Sequence, residues 1–357
     1  MSRPIHALID LSALEHNLSV VRRHASRSRI MAVIKADAYG HGLLRAAEAF
    51  KSADGFAILE LEAAIRLREA GYEHHILLIE GFFSRSELEL FERYHLSTVI
   101  HNSEQLEMLS AYKRPRGLDV FLKLNTGMNR LGFTPEQFPG ALELLKSNPV
   151  VGQITLMTHF SCADGFKDRN GVAEQLKCFN SITSNLNFPF SLANSAATLS
   201  YPETHADWVR PGIMLYGSSP FPDISASELD LRPAMTLTSK VIAVQYLHFG
   251  DTVGYGQTYR VDRSMRVGIV AGGYADGYPR HAPTGTPILV NGIRTRILGR
   301  VSMDMLHVDL SEIEKGGVGS PVIFWGKGMP VDEVAESAGT ISYELLCSLA
   351  QRVKIET

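Results

Sequence analysis

Arg29-Ile-Met-Ala-Val-Ile-Lys-Ala-Asp-Ala-Tyr-Gly-His-Gly-Leu-Leu-Arg-Ala-Ala-Glu-Ala-Phe50 holds the unit from which the fold is built. An apolar run, Ile30 to Ile34, stops at Lys35. A polar, glycine-bearing break follows. Leu43, Ala46, Ala47 and Phe50 then recur at the i, i+3, i+4, i+7 spacing of a helix with one buried face. Strand, break and helix is half of a βαβ unit. The same alternation recurs, with strands expected near 29–35, 55–58, 75–79, 97–101, 118–124, 151–158, 190–193 and 207–210. Ahead of the first of them, Ser12-Ala-Leu-Glu15 reads as a capping box, with Leu14, Leu18 and Val21 on one helical face. Strands alternating with helices pair in parallel. Eight of them within about 215 residues suit a (β/α)8 barrel of the TIM type better than an open sheet.

The pattern changes after Arg232-Pro233. Ile288-Leu-Val290, Asn291-Gly292 and Ile293-Arg-Thr-Arg-Ile297 read as a hairpin on a tight primed turn. Met305-Leu-His-Val-Asp-Leu310 alternates, with Leu306, Val308 and Leu310 on one face. A short helical piece is expected near 331–338. The fold class is therefore α/β: a barrel over residues 1–228, then a mainly β domain over 229–357.

Composition narrows the function classes. The chain has 357 residues, 45% of them hydrophobic, and 35 Lys+Arg against 38 Asp+Glu. Charges are mixed rather than blocked, which argues against nucleic-acid binding by bulk electrostatics and against a basic membrane face. Cys162, Cys178 and Cys347 form no C-x-x-C pair, so neither a disulfide framework nor a zinc site is encoded. No apolar run is long enough to span a bilayer and no secretion leader is evident, so a cytoplasmic location is expected.

A barrel of this type keeps its chemistry at the C-terminal ends of its strands. Those ends carry Lys35, Lys123, His159, Asn194-Ser195 and Arg210-Pro-Gly212. A lysine on a buried rim loses its proton more easily through desolvation and can attack a carbonyl to form a Schiff base. The segments at strands seven and eight, Asn194-Ser-Ala-Ala197 and Arg210-Pro-Gly-Ile213, stand where barrels often bind phosphate. Together they suggest a phosphorylated aldehyde fixed at both ends, which describes pyridoxal 5'-phosphate, an electron-sink cofactor.

Ala32-Val-Ile-Lys-Ala-Asp-Ala-Tyr-Gly-His-Gly42 resembles the cofactor-lysine signature of the alanine racemases. The resemblance continues through Leu122–Arg130, Thr158–Ser161, Asn194–Ala197, Val209–Ile213, Val253–Gly256, Gly272–Gly277, Gly299–Asp304 and Ile341–Tyr343, in family order over nearly the full chain. It implies a homodimer with shared active sites that interconverts L- and D-alanine, the D-alanine being a peptidoglycan precursor. Lys35 would carry the cofactor, with Tyr39, Asn194, Ser195, Gly212, Ile213 and Tyr343 about its phosphate. Arg210 would face the ring nitrogen with His159 alongside, and Arg130 would take the substrate carboxylate. Lys123 would be the lysine that such enzymes often carbamylate. Tyr255 and Met303 would reach across from the partner subunit, and Tyr274 and Tyr343 would narrow the entrance. Asn125 stands where relatives often carry Asp.

The implied chemistry uses two bases on opposite faces of Cα, Lys35 and Tyr255. A tyrosine, with an ordinary pKa near ~10, needs a cationic setting to act as a base at neutral pH, which a Tyr255–His159–Arg210 chain would supply. Packing on strands, or a role at the site entrance, is expected of Tyr259 and Tyr278, and loop positions are expected for His74-His75. A pyridoxal-phosphate carrier without turnover would not need the Tyr255 segment. A decarboxylase of basic amino acids would show a Cys-x-x-Asp-like motif in the C-terminal half, and none is found there.

Overall fold

The chain begins in a strand that the sequence pattern does not announce, β1 (His6–Ile9), before the helix Leu11–His24. The computed structural model describes residues 3–112, 117–165 and 170–357. The capping box expected on Ser12 and Glu15 is not formed. Asp10 is the N-cap instead, accepting from the Ala13 N–H at 3.1 Å and from the Ser12 hydroxyl at 2.6 Å. One carboxylate oxygen satisfies an orphan helix N–H and fixes the helix start one residue before Ser12. Leu14, Leu18 and Val21 are buried as expected.

The eight anticipated runs close into a barrel in chain order: β2 (Arg29–Val33), β3 (Gly55–Ile58), β4 (His75–Leu78), β5 (Ser97–Ile100), β6 (Leu118–Lys123), β7 (Val151–Met157), β8 (Phe190–Ser191) and β9 (Trp208–Val209). All neighbours are parallel, and β9 returns to β2 through Ile30 opposite Val209. Both faces of the barrel sheet are buried: the register puts Leu77, Val99 and Phe121 on one face and Ile30 and Phe56 on the other, all five buried. The helix Leu43–Ala49 covers the outside with Leu43, Ala46 and Ala47, followed by the buried Phe50. His75 heads β4 rather than lying in a loop, its ring packed among Phe121 and Trp208.

Beyond the barrel lie β10 (Met235–Leu247), β11 (Thr252–Val253), β12 (Tyr259–Arg260), β13 (Met265–Ala271), β14 (Pro287–Val290), β15 (Ile293–Leu298), β16 (Met305–Asp309), β17 (Pro321–Trp325) and β18 (Lys354–Glu356). The eight-stranded sheet runs β13-β16-β15-β14-β17-β10-β1-β18, and β10 also pairs with β13. The first and last strands of the chain thus lie side by side, in parallel, with His6 opposite Lys354. The predicted hairpin is present, with Asn291 at φ 53° and Gly292 at φ 76°, the left-handed pair that a type I′ turn needs. Tyr278 is buried and stacked on Trp325, and Tyr259 reaches the Met265 sulfur, so both tyrosines pack as expected. The helix Val331–Ser337 is followed by one the pattern did not separate, Ser342–Cys347. Among the described residues no helix is long and apolar enough to cross a membrane, and no group of His, Cys, Asp and Glu could hold a metal.

Candidate active site

Between the end of β2 and the helix Leu43–Ala49 the backbone turns left-handed. Ala36, Asp37, Ala38 and Tyr39 have φ of 53°, 50°, 56° and 51°. Such a conformation costs roughly 1–2 kcal/mol per non-glycine residue, so this turn must be held by its surroundings. The Ala38 N–H donates to Ile34 O, Gly40 N–H to Ala36 O and Gly42 N–H to Asp37 O. The Asp37 carboxylate accepts from Leu43 N–H at 2.8 Å, at the start of the following helix. The buried His41 ring caps two carbonyls of the turn, Ala38 O at 3.0 Å and Tyr39 O at 2.9 Å, both from Nδ1. Because carbonyls accept, Nδ1 carries the proton; burial pushes the His41 pKa down to about 4, so the ring stays neutral. At Gly40, also left-handed, a Cβ would stand 2.3 Å from Leu346 O. The turn is therefore seated on the helix Ser342–Cys347.

This turn delivers Tyr39 to the rim beside Gly212. A Cβ on Gly212 would lie 2.7 Å from the Tyr39 hydroxyl, so only glycine leaves room for that approach. Ser195 meets the same backbone, its Oγ accepting from Gly212 N–H at 2.8 Å and Met214 N–H at 3.5 Å. With the oxygen occupied as acceptor, the Ser195 proton is free to point outward. Asn194 caps the helix Ser195–Ser200 through Ala197 N–H, and the short helix Ile213–Tyr216 starts beside it. The Tyr343 ring lies 6.1 Å from that of Tyr39. Burial raises the pKa of Tyr39 and of Tyr343, so both remain neutral hydroxyl donors. Neutral donors gathered around two helix starts form a cradle suited to a phosphate.

Across the mouth stand the cations. Arg210, 5% exposed, donates to Ser191 Oγ at 2.7 Å, Thr158 O at 2.7 Å and Leu192 O at 3.3 Å, tying the ends of β7, β8 and β9 together. Burial lowers its pKa to about 10, which leaves it a cation at neutral pH. Its Nη2 also faces His159 Nδ1 at 3.4 Å. A guanidinium can only donate, so His159 is neutral and carries its proton on Nε2. Burial, then Arg210, Lys123, Arg130 and Lys35, hold the His159 pKa well below its ordinary value. Lys123, 7% exposed, has its pKa lowered to about 8 by burial first and by Arg210 and Arg130 next.

Arg130 is exposed at the mouth, on a loop shaped by Asn125. The Asn125 side-chain oxygen accepts from Gly127 N–H and Asn129 N–H, an Asx turn that Asp would make equally well. Gln175, unsuspected from sequence, braces the floor through Ser161 N–H, Thr126 Oγ1 and His159 O. Nothing in its spacing marked it.

Tyr255 and Met303 lie elsewhere. Both are on the β domain, where Gly254 and Gly256 of the Tyr255 turn lie against Arg300. Tyr255 is 70% exposed, Met303 52% and Tyr274 39%. None of the hydrogen bonds described above at the barrel mouth involves Tyr255 or Met303. The cysteines are unpaired, with Cys162 and Cys178 half-buried and Cys347 exposed.

The sequence matches the alanine racemase N-terminal domain family over residues 9–220 and the alanine racemase C-terminal domain family over residues 234–357. It is 68% identical over 354 residues to the alanine racemase of Nitrosospira multiformis, covering 99% of each chain. It is 54% identical to that of Bordetella petrii, covering 100% of this chain and 99% of the relative. The crystal structure of the biosynthetic alanine racemase from Pseudomonas aeruginosa superposes with a TM-score of 0.96 at 46% identity, covering 99% of each chain.

Proposed function

The chain belongs to the alanine racemase family and interconverts L- and D-alanine, and on that premise we propose that it does so with pyridoxal 5'-phosphate held at the barrel mouth and two bases contributed by two subunits. The observation that carries this reading is the left-handed turn after Lys35, which sets Tyr39, four residues from the lysine, against Gly212, whose N–H meets Ser195. Lys35 attaches the cofactor. Tyr39, Asn194, Ser195, Gly212, Ile213 and Tyr343 hold its phosphate, a fit supported by the neutral donors described above. Once bound, the cofactor supplies an electron sink for the negative charge that develops at Cα as its proton leaves.

The remaining work falls to the chain. Arg130, exposed and cationic at the mouth, takes the substrate carboxylate. Lys35 moves the proton on one face of Cα, and Tyr255 of the partner subunit moves it on the other. The exposure of Tyr255 and Met303 supports their use by a neighbour, and hence a homodimer with shared sites. His159, donating from Nε2 and backed by Arg210, is suited to hold the tyrosine oxygen in its anionic form. Tyr274 and Tyr343 narrow the entrance and favour a small side chain. The free cysteines fit a reducing cytoplasm. A carrier would leave the second base unused, and family membership speaks against a decarboxylase of basic amino acids. Incubation with L-alanine is expected to bring the optical rotation to zero as both enantiomers accumulate equally; carbon dioxide release or an unchanged rotation would reject the assignment.

Lys123 has a second consequence. Lowering its pKa to about 8 raises the neutral fraction of the amine at that pH, from below ~1% at the ordinary lysine pKa to roughly half. The neutral nitrogen can add to carbon dioxide, releasing one proton and leaving a carbamate anion that pairs with Arg130. With 13C-bicarbonate, a carbamate carbon resonance is expected that fades as the buffer is acidified and is missing in Lys123→Ala. Its persistence in that variant would exclude Lys123 as the acceptor.

A further inference from the structure

Four charged side chains that the barrel-mouth chemistry does not use converge behind the loops that carry Tyr274 and Met303. Asp276, 0% exposed, accepts from Arg3 Nη1 at 2.8 Å and Arg352 Nε at 2.7 Å on one oxygen, and from Gly273 N–H at 3.0 Å on the other. The Asp304 carboxylate takes Arg352 Nη2 at 2.7 Å, and the Asp304 carbonyl takes Arg3 Nη2 at 2.7 Å. Each guanidinium therefore bridges both acidic residues. Arg352 joins the two carboxylates with its fork, a geometry that lysine cannot reproduce.

The two loops in front of this cluster form one unit. Gly272 N–H donates to Asp304 O, Tyr274 N–H to Ser302 O and Ala275 N–H to Met303 O. They approach so closely that a Cβ on Gly273 would stand 2.2 Å from Ser302 O. Moving Asp276 or Asp304 would therefore carry Tyr274 and Met303 with it.

The arginines come from opposite ends of the chain. Parallel pairing of β1 with β18 sets His6 opposite Lys354, which places Arg3 and Arg352, just upstream of each strand, at the same end of the sheet. That pairing thus has a purpose beyond filling a sheet edge. The pairs on Asp304 are exposed and add little to stability, with side-chain exposure of 39% for Arg3, 41% for Arg352 and 45% for Asp304. The buried Asp276 carboxylate, by contrast, depends on both guanidiniums to offset its desolvation. What the cluster fixes is position.

We propose that Arg3, Asp276, Arg352 and Asp304 form a positioning clamp, built from both chain ends, that sets Tyr274 and Met303 for the partner subunit's active site. The proposal rests on the shared-site reading above, and the test separates the two. Full-length chains with different tags are coexpressed, one carrying Lys35→Ala, and the mixed dimer is purified. Only one of its two sites can react, and that site uses the β domain of the Lys35→Ala chain.

Arg352→Gln on the Lys35→Ala chain is expected to lower kcat/KM for alanine about tenfold or more. On the other chain it is expected to leave kcat/KM unchanged. Both hybrids contain one Lys35→Ala and one Arg352→Gln substitution, so their melting temperatures should agree, and a general loss of stability would move both activities alike. Equal losses from the two placements, or no loss from either, overturn the clamp. If Arg352→Gln does not assemble, Arg352→Lys makes the same comparison with a smaller placement-dependent loss expected. As control, Tyr255→Phe on the Lys35→Ala chain should remove the surviving activity; if it does not, the shared site itself is wrong.

Discussion

Lys35→Ala is expected to lower racemisation by at least about a thousandfold, since both the attachment amine and one proton-transfer group are lost, while the melting temperature stays close to that of the parent. The second half of this expectation follows from the backbone. The left-handed run covers Ala36 to Tyr39 and does not include Lys35, so alanine there adds no strain and relieves none. The hydrogen bonds described for the turn use Ile34, the turn itself, His41, Gly42 and Leu43, and none of them uses the Lys35 side chain. The rival for the aldehyde is Lys123, buried in the same mouth with an amine easier to deprotonate than most lysines. Desolvation alone would favour Lys123; the phosphate cradle favours Lys35, because Tyr39 and Lys35 are four residues apart on one rigid turn. Borohydride reduction of the cofactor-loaded protein followed by proteolysis should place the label on the peptide containing Lys35. A label on the Lys123 peptide would reverse the assignment.

The barrel was legible because each of its strands is a short apolar run cut off by a polar residue, and the cut itself marks the rim. Lys35, Lys123, His159 and Arg210 were visible for that reason. The left-handed turn was not: Ala36 and Ala38 are the residues most favourable to a right-handed helix, and they are held in its mirror image by Asp37, His41 and the close approach of Gly40 to Leu346. Nor could β1 and β18 be read. His6–Ile9 and Lys354–Glu356 are short, and each is a strand only because it lies alongside the other and, for β1, beside β10. The clamp was hidden for the same reason, its partners lying as much as 301 residues apart in the sequence. Asp10 displaced the expected cap because a carboxylate one residue before the helix reaches both Ser12 and Ala13.

Tyr255→Phe is expected to depress α-hydrogen exchange on one enantiomer of alanine by about 10²–10⁴-fold, the range for a lost general base, and to spare it on the other. The substitution removes one oxygen from a side chain that is 70% exposed in the single chain, so no core packing is disturbed. What it removes is the proton acceptor on one face of Cα. Lys35 remains on the opposite face and can still take and return a proton there, so exchange without inversion should survive for the enantiomer whose hydrogen points toward it. Racemisation, which needs both faces, should fall with the slower of the two exchanges. The measurement is deuterium uptake from D2O into L-alanine and into D-alanine, each started pure and followed before inversion mixes them. The asymmetry has a physical basis in the environment offered to each base. The tyrosine oxygen would meet the Nε2–H of a neutral His159 whose Nδ1 is engaged by the cationic Arg210. That arrangement stabilises a phenolate without giving it a second proton source. If both enantiomers lost exchange equally, one residue would be serving both faces, and Tyr255 would be a positioning group rather than a base.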